Sequence, residues 1–281
     1  MKILCVDVGT GTQDILLYDS DREIENCLKL IMPSPTLLVA KQVKQATREG
    51  RAIVLTGVTM GGGPSHWAVK DHIAAGCKAY ATPEAARTFD DELDKVEAMG
   101  IRVVSEDEAR RIDESGDRTL HLRDFDYDAI RSAFAAFGLE LNVDGLALAV
   151  FDHGSAPAGY SDRQFRFDYL EQRLRAENRL SAFAHKRGEL PDHVTRLQAV
   201  ADTAAFDGDV LLMDTAPAAV LGALLDPQVA AHSRLIVGNV GNFHTLAFRL
   251  GPGGVEGVGG GDAEEAGAGS AAEAEGVGAE E

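Results

Sequence analysis

The sequence predicts an α/β protein, and three observations carry that expectation. Short β-rich runs alternate with segments of helical periodicity along most of the chain. The first 32 residues read as three successive strands separated by turn residues. The 45% hydrophobic content over 281 residues is that of a globular protein able to bury a core.

Taken in order, Lys2–Val8 is β-rich and meets Gly9-Thr-Gly-Thr12, after which Asp14–Tyr18 is extended again, so residues 2–18 form a hairpin. Cys27–Met32 is a third strand, stopped by Pro33 and Pro35, which completes an antiparallel meander. Residues 36–49 have helical periodicity ending at Gly50. Ala52–Thr56 is a buried-type strand that runs into Gly57 and Met60-Gly-Gly-Gly-Pro64. Helices over 83–99 and 106–112 flank a strand at 101–105, and a helix over 127–137 leads to the strand Leu146–Phe151. Helices over 164–179 and 191–205 precede the strand Val210–Asp214, a helix over 217–225 and strands at 234–237 and 245–248. The charge pattern makes the 164–179 helix a solvated face. Beyond Leu250 the pattern stops. Eighteen of the last 31 residues are Gly or Ala, too little apolar surface to offset ordering entropy. The expected organisation is a first domain over 1–208 with helical insertions, the start of a second over 209–256, and a disordered acidic tail over 257–281.

The 27 basic and 45 acidic side chains give a net charge of −18. Eight of those acids lie in residues 251–281, which hold no Lys or Arg, so the rest of the chain carries −10. Nucleic acid and anionic membrane surfaces are poor partners for such a surface, because both require clustered cations. Cys5, Cys27 and Cys77 form no C-x-x-C spacing, which argues against a disulfide framework, a thiolate zinc site and an iron–sulfur cluster. No apolar run approaches the ~20 residues of a membrane helix, and Asp7 interrupts the N-terminal apolar stretch. The chain reads as soluble and cytoplasmic.

The strongest signal is an internal echo. Asp7-Val-Gly-Thr-Gly-Thr12 and Asn239-Val-Gly-Asn-Phe-His244 each follow a β-strand and precede another. In each, a glycine stands two residues after an Asp or Asn. Such a turn can present backbone N–H groups in one concavity, and glycine lets an anion approach. Two facing hairpins would grip a polyphosphate from both sides, with Asp7 placed to hold Mg²⁺ through water.

Asp7–Asp14 resembles the first phosphate loop of the actin, heat-shock ATPase and sugar-kinase superfamily, and Asn239–Thr245 resembles its second. Val6–Asp14, Glu25–Leu30, Met32–Thr36, Thr56–Pro64 and Val240–Phe248 further resemble a prokaryotic family of unknown function labelled pyruvate formate-lyase activating enzyme-like, over residues 1 to about 256. The resemblance implies a ribonuclease-H-like fold with an incomplete second domain, and an ATP- and Mg²⁺-dependent phosphotransferase or hydrolase acting on an unknown small-molecule acceptor. Gly9, Thr10, Gly11 and Thr12 would bind phosphates from one side, and Asn239, Gly241, Asn242 and His244 from the other. The competing reading is a non-catalytic nucleotide- or small-molecule-binding scaffold. Asn239, where the superfamily commonly has Asp, and a Gly/Ala/Glu tail in place of the adenosine loop favour that alternative. The radical chemistry in the family's label finds no cysteine triad here.

Other residues stand at strand ends, where open α/β sheets bind ligands. Gly61, Gly62, Gly63 and His66 are candidate substrate contacts. Asp152 is the candidate base or water-orienting residue, with His153 as a substrate contact. Asp214 and Thr215 are a further strand-end pair. The histidine spacings show no metal-ligand pattern.

Overall fold

A computed structural model describes residues 1–113, 118–157, 159–242 and 244–262. The chain opens with β1 (Lys2–Val8), β2 (Thr12–Asp19) and β3 (Leu28–Pro33), the antiparallel meander its strand propensities dictate. Ser34 then caps α1 (Pro35–Glu49), accepting the Leu37 N–H, with Pro35 at the first helical position and Gly50 in the left-handed conformation at the end.

α1 leads into a second, all-parallel sheet. Its elements are β4 (Ile53–Gly57), α2 (Pro64–Ala74), β5 (Ala79–Ala81), α3 (Pro83–Ala86), α4 (Leu93–Ala98), β6 (Ile101–Val103), α5 (Glu106–Asp113) and β7 (Arg118–Leu122). The strand order is β6-β5-β4-β7. Ile53, Val54 and Leu55 of β4 are each 0% exposed, as a strand covered on both faces requires. The inserted region therefore holds a sheet of its own where helical insertions were expected. Ala79–Ala81 is too short for a periodicity signal, and Arg118–Leu122 mixes charge with leucine, so neither strand is legible locally. The helix expected over 83–99 is broken into α3 and α4, with the Thr88 hydroxyl between them accepting the Met60 N–H.

The chain returns through α6 (Tyr127–Ala136) to β8 (Gly145–Val150), which pairs in parallel with β1. There follow α7 (Asp162–Ala176), β9 (Ala184–Lys186), α8 (Thr195–Thr203) and β10 (Asp209–Asp214), the last parallel to β8. The first sheet is thus ordered β3-β2-β1-β8-β10-β9. Leu4, Val6, Val8 and Ile15 pack with Phe134 of α6 and Leu197 and Val200 of α8 in its core. α9 (Thr215–Ala223) and α10 (Pro227–Ala230) lead to a third sheet of β11 (Leu235–Val240), β12 (His244–Gly251) and β13 (Gly254–Asp262), which packs on α7 and α9 around Phe248 and Leu170.

Two sequence expectations change here. Residues 257–262, assigned by composition to the tail, pair with β12. A strand's ladder is made by the backbone, so a run of glycines can complete a sheet that has a neighbour to template it. The rest of the expected tail, 263–281, lies outside the described residues. The α7 helix is also more than a solvated face, since Arg166 on it is buried. Among the described residues no helix is long and apolar enough to cross a membrane.

Candidate functional site

The two echoing turns have the same construction. The Gly9 N–H donates to the Thr12 carbonyl and the Gly241 N–H to the His244 carbonyl, each at 2.9 Å. These two amides close their own hairpins, so a phosphate would have to be met by the remaining groups of each turn. In the first turn the Thr10 and Gly11 carbonyls accept from the Ser34 Oγ–H (2.6 Å) and the Ser34 N–H (3.1 Å). The residue that caps α1 therefore also holds the turn. The hairpins meet tip to tip: a Cβ on Gly11 would lie 3.1 Å from Asn242 Nδ2.

Below the tips lies a cleft of about 1280 Å³. It gathers Asp7, Gly9, Thr10, Gly11 and Thr12 from the first hairpin and Asn239, Gly241, Asn242 and His244 from the second. Gly61, Gly62 and Gly63 and the chain at Asp152 and His153 also line it. His66 is not among the described lining residues; its ring stands edge-on to Phe89, 5.6 Å away. Asp14, Thr36, Thr88 and Thr215 complete much of the polar wall.

Asp7 is a perturbed carboxylate facing this space. Burial pushes its carboxyl above the usual range, and the nearby Asp14 and Asp214 charges push the same way. A hydrogen bond from Thr215 (2.7 Å to Oδ1) opposes them. Asp14 is directly across the ladder from Asp7. A cation would relieve this crowding, and Mg²⁺ commonly takes one or two carboxylates with water and phosphate oxygens. The donor set fits that use. Among the described residues no group of three or more His, Cys, Asp or Glu could hold a metal by itself.

Asp152 is placed differently from the sequence expectation of a base. Its Oδ1 accepts the Gly154 N–H and its Oδ2 the Leu197 N–H, both at 2.8 Å. Burial raises its carboxyl despite these bonds. The carboxylate thereby fastens the strand-end loop to the first turn of α8, a favourable place for an anion. Neighbouring Asp214 receives Arg166 Nη2 at 2.9 Å and the Asp152 N–H at 3.1 Å, joining the ends of β8 and β10. Phe151 lies between two groups: the Arg166 guanidinium is 3.7 Å from its centroid, and the His244 ring is stacked at 4.2 Å. Both cannot share one face at those separations, so Phe151 links the protein interior to the second hairpin. His153 meets His244 edge-on at 4.9 Å.

The glycine cluster is held by an ion pair that motif reading misses. β4 is where the parallel sheet's strand order changes direction, a usual place for ligand crevices. Gly57 ends β4 at φ +95° with the Leu122 carbonyl too close for any Cβ. Beyond it, the Gly61 N–H donates to both oxygens of Asp124 (3.1 and 3.2 Å). Asp124 receives Arg196 Nε at 2.7 Å and Nη2 at 3.0 Å, while Arg196 Nη1 binds the Phe151 carbonyl at 2.6 Å. One guanidinium from α8 thus ties the inserted sheet's glycine loop to the strand-end loop of the first sheet. Asp124 and Arg196 are 72 residues apart, and neither carries a motif.

The family described as "Putative pyruvate format-lyase activating enzyme (DUF1786)" matches residues 60–259. The chain belongs to this family. No curated protein matches it at a significant level. Cys27 is buried, and burial with the neighbouring Cys27 pushes the Cys5 thiol up to about 11, which keeps it protonated.

Proposed function

We propose that this DUF1786 protein is an ATP- and Mg²⁺-dependent phosphotransferase or ATP hydrolase on a ribonuclease-H-like fold of the actin-like ATPase superfamily. The reading is carried by one observation: two hairpins, each closed by a glycine N–H to a carbonyl three residues on, line one cleft beside a half-buried, charge-crowded Asp7. The order β3-β2-β1-β8-β10, with the first three strands antiparallel and the next two parallel to β1, supports the fold assignment.

In this reading Asp7 would hold Mg²⁺, and Thr215 fixes the orientation of its carboxylate. The metal, when bound, neutralises charge on the phosphates. Thr10, Gly11 and Thr12 meet the phosphate chain from one side, and Asn242 and His244 from the other, with Asn242 withdrawing from Gly11 to admit it. Gly9 and Gly241 make the tight turns. Asp152 contributes position rather than proton transfer, because both of its oxygens are engaged. The acceptor, a small molecule, occupies the part of the cleft walled by Gly61–Gly63 and His153.

The test is ATP hydrolysis by the purified protein with Mg²⁺. Asp7→Ala is expected to lower turnover at least 100-fold, and equal turnover in that variant refutes the assignment. A second reading, a binding scaffold without turnover, is favoured by Asn239 in place of an acid. Calorimetric titration with ATP, ADP and inorganic triphosphate separates the two. Triphosphate bound as well as ATP, with no hydrolysis, supports the scaffold.

A further inference from the structure

Phe151 follows β8 directly, and two arginines pin the carbonyls on either side of its link to Asp152. Arg196 Nη1 donates to the Phe151 carbonyl at 2.6 Å and Arg166 Nη1 to the Asp152 carbonyl at 2.8 Å. Arg166 is itself immobilised, because it is buried and its Nη2 reaches both oxygens of Asp214 at 2.9 Å. The Phe151 ring rests on this guanidinium, 3.7 Å from its carbon to the ring centroid, within the range of cation–π attraction. On the remaining face lies the His244 ring, with centroids 4.2 Å apart and planes 5° from parallel. His153 closes the cluster edge-on, 5.0 Å from Phe151 and 4.9 Å from His244.

The stack joins two walls of the cleft. Phe151 belongs to the loop after β8 and His244 opens β12, and both line the cleft. A histidine side chain turns about two bonds, the second loosely held. Parallel stacking on a clamped ring restricts both. We propose that Phe151 is a positioning residue, whose ring, held on the Arg166 guanidinium, keeps the His244 imidazole in the orientation that donates to the phosphate chain. A donor fixed beforehand loses less side-chain freedom when the anion arrives, so the stack raises affinity without touching the ligand. This rests on the nucleotide reading above.

The test uses the 281-residue protein, inorganic triphosphate with Mg²⁺, and calorimetry. The variants are Phe151→Leu, Phe151→Met, His244→Ala and the double Phe151→Leu/His244→Ala. Leu and Met keep an apolar side chain but offer no ring face. Each single substitution is expected to weaken binding at least fivefold. The double variant should bind within about twofold of His244→Ala, because without the imidazole Phe151 has nothing to position. In ligand-free, histidine-labelled protein the His244 ring protons are assigned by their absence in His244→Ala. They are expected upfield of free imidazole through the Phe151 ring current, and to return downfield in both Phe151 variants. Far-UV circular dichroism checks folding, and the wild-type spectrum tests the stack whether or not the variants fold. Unweakened binding in both Phe151 variants, losses that add in the double variant, or His244 protons without the upfield shift would each overturn the proposal and leave the nucleotide reading standing. Failure of the wild type to bind triphosphate would overturn the phosphate role of the hairpins, and this proposal with it.

Discussion

The ion pair between Asp124 and Arg196 is the place where a single substitution tests the architecture of the cleft. The Asp124 side chain is 1% exposed and that of Arg196 19%. Asp124→Ala strips Arg196 of the two hydrogen bonds it makes to Asp124, leaving that to the Phe151 carbonyl, and Gly61 of its acceptor. Breaking a buried pair by removing one partner costs about 3–5 kcal/mol, because the surviving charge stays desolvated. At ~2–4 °C per kcal/mol for a protein of this size, the melting temperature should fall by roughly 6–20 °C. Arg196→Met should cost a similar amount, as it leaves the carboxylate with only the Gly61 N–H. The double variant removes both charges and should be less destabilised than the sum of the singles, by about 1–3 kcal/mol of coupling. Urea denaturation of the wild type, both singles and the double, followed by circular dichroism, measures all four terms. Singles costing under ~1 kcal/mol, the range of a surface pair, would refute the reasoning, and so would strict additivity.

Gly61→Ala places a Cβ 2.5 Å from Arg196 Nη2, which Asp124 prevents from swinging aside; it should destabilise by about 1–3 kcal/mol. Gly222→Ala, inside α9 with open space around it, is the control and should be neutral or stabilise by about 0.5–1 kcal/mol in thermal melts. Stability should also depend on pH through four histidines. Burial holds His66, His72, His185 and His193 below the ordinary imidazole value, so the unfolded chain takes up their protons first as pH falls. Their contribution is complete above about pH 6.5 and is lost as pH drops through the folded-state values. Melting temperatures should therefore fall between pH 7.5 and 5.5, and a flat or rising profile over that interval would contradict the placement of these rings.

Local sequence determined the elements whose stability is local. The hairpin of residues 2–18 was legible because its β-rich runs alternate around a glycine turn, and α1 because Ser34, Pro35 and Gly50 mark its ends. The repeated Asp/Asn-Val-Gly turn was legible as a repeat, and the fold brings both copies to one cleft. Tertiary structure decided what depends on a neighbour. β5, three residues long, and β13, largely glycine, are strands only because an adjacent strand supplies their hydrogen-bond partners. Arg166 looked like one more charge on a polar helix, yet Asp214 and the Phe151 face draw it inside. Asp152 looked like a base at a strand end, yet its oxygens accept the Gly154 N–H of its own loop and the Leu197 N–H of α8. Residue types and their spacing fix which local conformations are cheap. Which polar group meets which depends on chain closure over distances such as the 72 residues between Asp124 and Arg196, and no local pattern encodes it.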